Sequence, residues 1–327
     1  MPHSKYGRAS LFLSVLLLMA LSQWLTAQVF PYTPPTHAHQ QIPGTPLWLI
    51  PPQGFVWSSQ FRGLQHPDYP TASLMVVEIP APIQLVFAGM TPTALAEQAM
   101  TLVDMDTLRF HRSDGYWFTI DQEVKGLAIR KHVFAFGDPE KTFMLNATFA
   151  LEGEQALGDS LRQCLESLVW VTDMPVDPLA ALPYELSAAA QDGWQVASVM
   201  GNATVFSLDG QIPTLHPTGA VLIVDKSIQD VKVYDGESFC RRRLKNFPSP
   251  LIPDEERGFV DTWIDGLPGI TCYAHAETEA GQLSRYYRMT ALFPEKGGYY
   301  LLIGMTKVDE PRVWQQIDRA IHSFRQR

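Results

Sequence analysis

The chain has 327 residues, 46% of them hydrophobic and 18% charged, with 34 acidic side chains against 25 basic ones and a formal net charge of −9. This is the composition of a folded protein, not of a disordered one. The acidic excess argues against general nucleic-acid binding and against broad attraction to anionic membranes, both of which run on surplus Lys and Arg.

The first 27 residues read as a secretory signal peptide: Lys5 and Arg8 in a short basic segment, the apolar run 11–21, then Trp24-Leu25-Thr26-Ala27. That apolar core is about half of the roughly 20 residues a membrane-spanning helix needs. Cleavage is expected after Ala27, and no later segment is long and apolar enough to cross a membrane. It removes Lys5 and Arg8 and no acid, leaving 34 acidic against 23 basic residues. A periplasmic or secreted location follows.

Residues 28–46 carry Pro31, Pro34, Pro35, Pro43 and Pro46 without an apolar period, which predicts an extended tether. Roughly 300 mature residues exceed what one core usually holds. Two domains, 47–173 and 186–327, are expected around a linker at 174–185 that contains Pro175, Pro178 and Pro183.

The two halves run through a similar series of elements. Gly54-Phe55-Val56-Trp57 opens one and Gly193-Trp194-Gln195-Val196 the other. Strands are predicted at 72–79 and 220–224. Thr91-Pro92 caps a predicted helix with Leu95, Ala99, Leu102 and Val103 on one face, and Asp235 caps another with Phe239, Cys240, Leu244 and Phe247 on its buried side. Next come Lys125-Gly126-Leu127 and Asp265-Gly266-Leu267, each at a strand start. Strands at 142–149 and 299–305 lead into closing helices, with Asp159 and Asp309 as the acids that open them. A strand at 282–293 is read as an addition that the first half lacks or has compressed around Ala135 to Pro139. The fold class expected is α+β: two tandem domains, each a twisted, mainly antiparallel sheet packed by helices.

This order of elements, with the run Asp265-Gly266-Leu267-Pro268-Gly269, resembles the PsbP-like superfamily, a fold shared by the extrinsic photosystem protein, a nuclear Ran-binding family and small bacterial envelope proteins of the DcrB type. The resemblance spans about residues 47–172 and 186–325. It implies a module that docks onto other proteins, here another envelope protein. No catalytic motif goes with it.

The candidate contact residues are the basic run Arg241, Arg242, Arg243 and Lys245, and one tyrosine of each adjacent pair, Tyr286 and Tyr299. Cys240 and Cys272 can meet within one domain as a disulfide. The alternative is that these two and Cys164 are buried apolar thiols. His37-Ala38-His39 lacks a third ligand, so no metal is expected. His66-Pro67 and His216-Pro217 each precede a strand that ends in an acid, Glu78 or Asp225, and read more simply as proline turns. No nucleophile elbow, zinc-protease helix, phosphate loop or dinucleotide fingerprint is present, and no cofactor is expected. The primary expectation is a non-catalytic docking protein. The alternatives are a carrier of a small ligand in a sheet–helix or interdomain cleft, and an unrecognised hydrolase.

Overall fold

The computed structural model describes residues 28–30, 32–180, 182–187, 191–278 and 283–327; the leader expected at 1–27 lies outside them. The N-terminal half runs β1 (Gln28–Phe30), β2 (Gln40–Gln41), β3 (Leu47–Leu49), β4 (Val56–Trp57), β5 (Gly63–Gln65), β6 (Ser73–Ile79), α1 (Ile83–Ala88), α2 (Pro92–Ala96), β7 (Met100–Phe110), β8 (Ser113–Val124), β9 (Leu127–Gly137), β10 (Thr142–Ala150), α3 (Asp159–Glu166) and β11 (Val169–Trp170). The C-terminal half runs β12 (Tyr184–Leu186), β13 (Gln195–Met200), β14 (Ala203–Ser207), β15 (Val221–Lys226), α4 (Gly236–Lys245), β16 (Ile252–Pro253), β17 (Phe259–Ile264), β18 (Leu267–Glu277), β19 (Leu283–Leu292), β20 (Tyr300–Thr306), α5 (Pro311–His322) and β21 (Phe324–Gln326). The fold is α+β.

Each half is built on one antiparallel sheet with both faces covered. The first sheet has the order β1-β7-β8-β9-β10-β6-β5-β4, and the second, read from its far edge, β17-β18-β19-β20-β15-β14-β13, with β16 also on β18. From β7 and β17 onward the two orders coincide. In each half a short strand ahead of the sheet pairs with the strand that follows the closing helix: β3 with β11, β12 with β21.

Alternation along the strands supplies two apolar faces. On the first sheet, Trp117, Phe134, Phe136 and Leu145 point to α3 and its Leu161, Cys164 and Leu165. Their neighbours Phe118, Val133 and Ala135 point to Ile83 of α1 and Leu95 of α2. On the second sheet, Leu222, Val224, Tyr300 and Leu302 meet Val313, Ile317 and Ile321 of α5. Met289, Ala291, Leu301 and Ile303 meet Phe239, Cys240 and Leu244 of α4.

Several expectations are corrected. The helix drawn through Leu102 and Val103 stops at Ala96; Ala99 takes φ 56°, and both residues belong to strand β7. The antiparallel partner β8 draws this segment into the sheet instead, with Leu102 opposite Ile120. With β7 in place, the strand at 283–292 is no addition, because β9 occupies its position in the first sheet. The Lys125-Gly126 and Asp265-Gly266 pairs are both two-residue hairpin turns with positive φ (53° and 82°; 54° and 75°). They occupy different places in the common order, however: one joins β8 to β9, the other β17 to β18.

Asp159 caps nothing through its side chain, because the N-cap position falls on Gly158, and Asp309 instead accepts the Trp314 indole N–H at 2.6 Å. Thr91 and Asp235 do cap, accepting from Ala94 and Ser238. The segment 28–46 is not a free tether: β1 lies parallel on β7, β2 pairs with β3, and Ile42 and Thr45 are fully buried. The end of the expected linker is likewise packed, with Leu182 and Tyr184 in the core of the second half.

The halves touch. Gln60 Nε2 donates to Asp230 Oδ2 at 2.8 Å, Lys226 Nζ to the Ser59 carbonyl at 3.1 Å, and the buried Arg62 to the Pro178 carbonyl at 3.1 Å.

Gly304 on β20 lies directly under α5; a Cβ there would stand 2.3 Å from Ile317 Cγ2. Gly304→Ala is expected to cost about 1–3 kcal/mol through this overpacking. Gly126→Ala, whose Cβ would meet nothing, should cost only about 1 kcal/mol for its positive φ. Urea melts of the two variants check the difference.

Candidate binding cleft

Because β7, β8, β9, β10 and β6 alternate in direction and β1 runs parallel to β7, six strands bring an end to one rim: the last residues of β1, β7, β9 and β6 and the first of β8 and β10. The turns at that rim surround a cleft of about 940 Å³. Tyr32 follows β1, His111, Arg112 and Ser113 come from the β7–β8 turn, Asp138 and Lys141 from the β9–β10 turn, and Glu78 from the end of β6. The opposite wall is the chain after β11, from Trp170 to Met174 with Val176 and Pro178, and the turn at Gly44 and Pro46.

The floor is Trp170, 6% exposed and packed on Phe136 and Phe143. Above it Lys141 Nζ sits 3.3 Å from Glu78 Oε1 and over the Phe143 ring. Asp138 is spent on the turn, accepting the backbone N–H groups of Glu140 and Lys141 at 2.8 Å. Arg112 and Asp173 are exposed. His111 has φ 54° and an imidazole edge-on to Tyr32, and burial lowers its pKa from 6.5. The cleft is thus rimmed by both signs of charge and floored by an indole.

His111, Ser113 and several carboxylates share this cleft, yet among the described residues no hydrogen bond joins the imidazole to Ser113 or to an acid. A nucleophile needs its base within hydrogen-bond reach, so the hydrolase reading gains no support from this grouping. A second hollow, about 270 Å³ and mostly apolar, is lined by Leu179, Leu182, Tyr184, Trp194, Val196 and Phe206. It is smaller than the 300–1,000 Å³ typical of small-molecule sites.

The residues singled out from the sequence are dispersed. Arg241 is held by Glu237 at 2.9 Å and Glu255 at 2.7 Å and lies over Phe259. Arg243 covers the rings of Phe239 and Tyr299. Arg242 and Lys245 are exposed, with Arg242 near the N-cap Asp235, whose pKa is lowered by its hydrogen bonds from Ser238 and also by Arg242. Tyr299 packs on Phe239 beside α4, while Tyr286 lies near Trp314 on the α5 side. The two tyrosines therefore cannot serve one patch.

Cys164, Cys240 and Cys272 are buried free thiols, and Cys240 and Cys272 belong to one buried cluster. His66 accepts the Asp68 N–H and His216 bonds Thr218 Oγ1, so each braces its own turn. His39 bonds Thr36 and the Ser167 carbonyl. Among the described residues no cluster of metal-ligating side chains forms.

The cleft residues escaped sequence reading because they come from separate turns. Glu78 as a strand-ending acid was the one legible signal.

No family model and no curated protein sequence matches the chain. It is similar to solved structures. Cyanobacterial PsbP (CyanoP) from Synechocystis sp. PCC 6803 aligns at 10% identity over 42% of this chain and 95% of that one, with a TM-score of 0.32. The immunity protein TplEi of T6SS from Pseudomonas aeruginosa aligns at 11% identity over 89% of this chain and 97% of that one, with a TM-score of 0.32. A chain of the Tle4–Tli4 complex aligns at 11% identity over 84% of this chain and 98% of that one, with a TM-score of 0.33. At these scores the likeness does not extend to function.

Since burial lowers the His111 pKa, the unfolded chain binds that proton first, and the stability due to the neutral imidazole is present above pH 6.5 and lost as pH falls through the folded value. His322 shifts the same way, through burial and then Arg288. Thermal melts from pH 7.5 to 5 should show falling stability, with a shallower fall in His111→Asn, where Asn also tolerates positive φ. An unchanged slope would contradict this assignment.

Proposed function

We propose that the chain is an exported, non-catalytic accessory protein of two tandem PsbP-like domains that docks another envelope protein through the cleft at the rim of the first sheet. The observation that carries this reading is the placement of open space. Side chains pack both faces of the central strands of each sheet, while a charged, indole-floored cleft of about 940 Å³ opens among turns.

Such a surface suits a protein segment. Trp170 and Tyr32 offer apolar area, and Arg112, Lys141, Glu78 and Asp173 offer paired charges. The signal-like leader supports export, and the acidic balance supports a protein partner over nucleic acid.

A photocrosslinking residue in place of Thr172, in the envelope of the native host, should trap one protein. The double variant Arg112→Glu with Lys141→Glu should weaken binding of that protein at least about tenfold, roughly 1.4 kcal/mol, whereas Arg242→Glu on α4 should change it less than about threefold at moderate salt. Equal losses from both variants would shift docking to the basic helix. A small molecule retained in native mass spectra would favour the carrier alternative.

A further inference from the structure

Helix α4 runs along strand β18. At its start Gly236 has no Cβ, and one placed there would lie 2.7 Å from Ile270 Cγ1 and 2.9 Å from Phe293, so this glycine permits the helix to approach the sheet closely. Four residues of helix rise by about 6 Å and two residues of strand by about 6.6 Å. From the contact of Gly236 with Ile270, these steps arrive together at Cys240 and Cys272.

Both are 0% exposed, and both belong to the cluster formed by Phe239, Leu244, Met289 and Ile303. Cys164 lies in the other half, in the cluster around α3. It cannot compete for either partner.

We propose that Cys240 and Cys272 are an oxidation site, closed to a structural disulfide that pins α4, and with it the basic run, to the second sheet. The proposal rests on the exported reading for its oxidant, a protein or small-molecule disulfide. One cysteine thiolate attacks that disulfide and releases one of its sulfurs as a thiolate. The second cysteine then displaces the other sulfur from the mixed disulfide. The two cysteines lose two electrons and two protons, and the oxidant gains them as two thiols. Since both sulfurs are buried in the finished fold, exchange takes place before α4 closes on the sheet. The neighbouring Cys272 and burial raise the Cys240 pKa, so a thiol left unpaired there is inert.

The test uses wild-type protein refolded in a glutathione redox buffer, then denatured and alkylated without reductant. The expected result is one alkylated thiol, Cys164, a Cys240–Cys272 linked peptide, and a melting temperature roughly 10 °C above that of the reduced chain. The redox-dependent shift should vanish in Cys240→Ala. Three alkylated thiols, or a linkage through Cys164, would overturn the proposal. The same alkylation on protein purified from whole cells of its native host separates the two readings: a linked pair after refolding but three thiols in the native isolate would count against export and leave the site standing.

Discussion

The constraint on which this molecule depends is that both faces of each mainly antiparallel sheet are buried along its central strands. A sheet with one wet face alternates apolar and polar residues; here strands such as Val133-Phe134-Ala135-Phe136 carry apolar side chains on every position. Each sheet therefore needs two covers, and the chain supplies them from different places. The closing helix and its short strand pair cover one face, and the helices inserted after β6 or β15 cover the other. The coincidence of strand order in the two halves is the same constraint met twice.

That arrangement leaves room for a site only at the edges. The interiors are occupied by Phe, Trp, Leu and Ile at close packing, so the space that remains lies where strands end and turns diverge. Six strand ends on one rim of the first sheet, faced by the chain leaving β11, make such a space. Its charges come from turn residues that the core does not restrain. Trp170 belongs to both, since its pairing beside β3 holds it in the core while its upper edge floors the cleft.

Short-range signals in the sequence were reliable where the physics is short-range. Thr91 and Asp235 cap helices because a side-chain oxygen reaches backbone donors two or three residues away. Lys125-Gly126 and Asp265-Gly266 turn because glycine accepts positive φ, and the strands 72–79 and 142–149 follow from continuous apolar runs. Reading failed where a local pattern had two solutions. Leu102 and Val103 fit a helix face on paper, but Met100–Phe110 became a strand once β8 offered a partner, and that one error made β19 look like an addition. Pro-rich segments behaved alike: proline removes a donor without forbidding burial, and Ile42, Leu182 and Tyr184 were drawn into cores by their side chains.

The sequence by itself determined the α+β class, the strands at 72–79, 142–149, 220–224 and 299–305, two helix caps and the bends at two Gly-Leu pairs, because each depends on residues within a few positions of one another. Only the tertiary structure decided which distant groups meet. Glu78 reaches Lys141 across paired strands, Arg243 spends its charge over Tyr299, Tyr286 and Tyr299 part to opposite faces, and Cys240 arrives over Cys272 because a helix and a strand advance at matching rates. Strand pairing and helix docking set those distances, and no spacing along the chain encodes them.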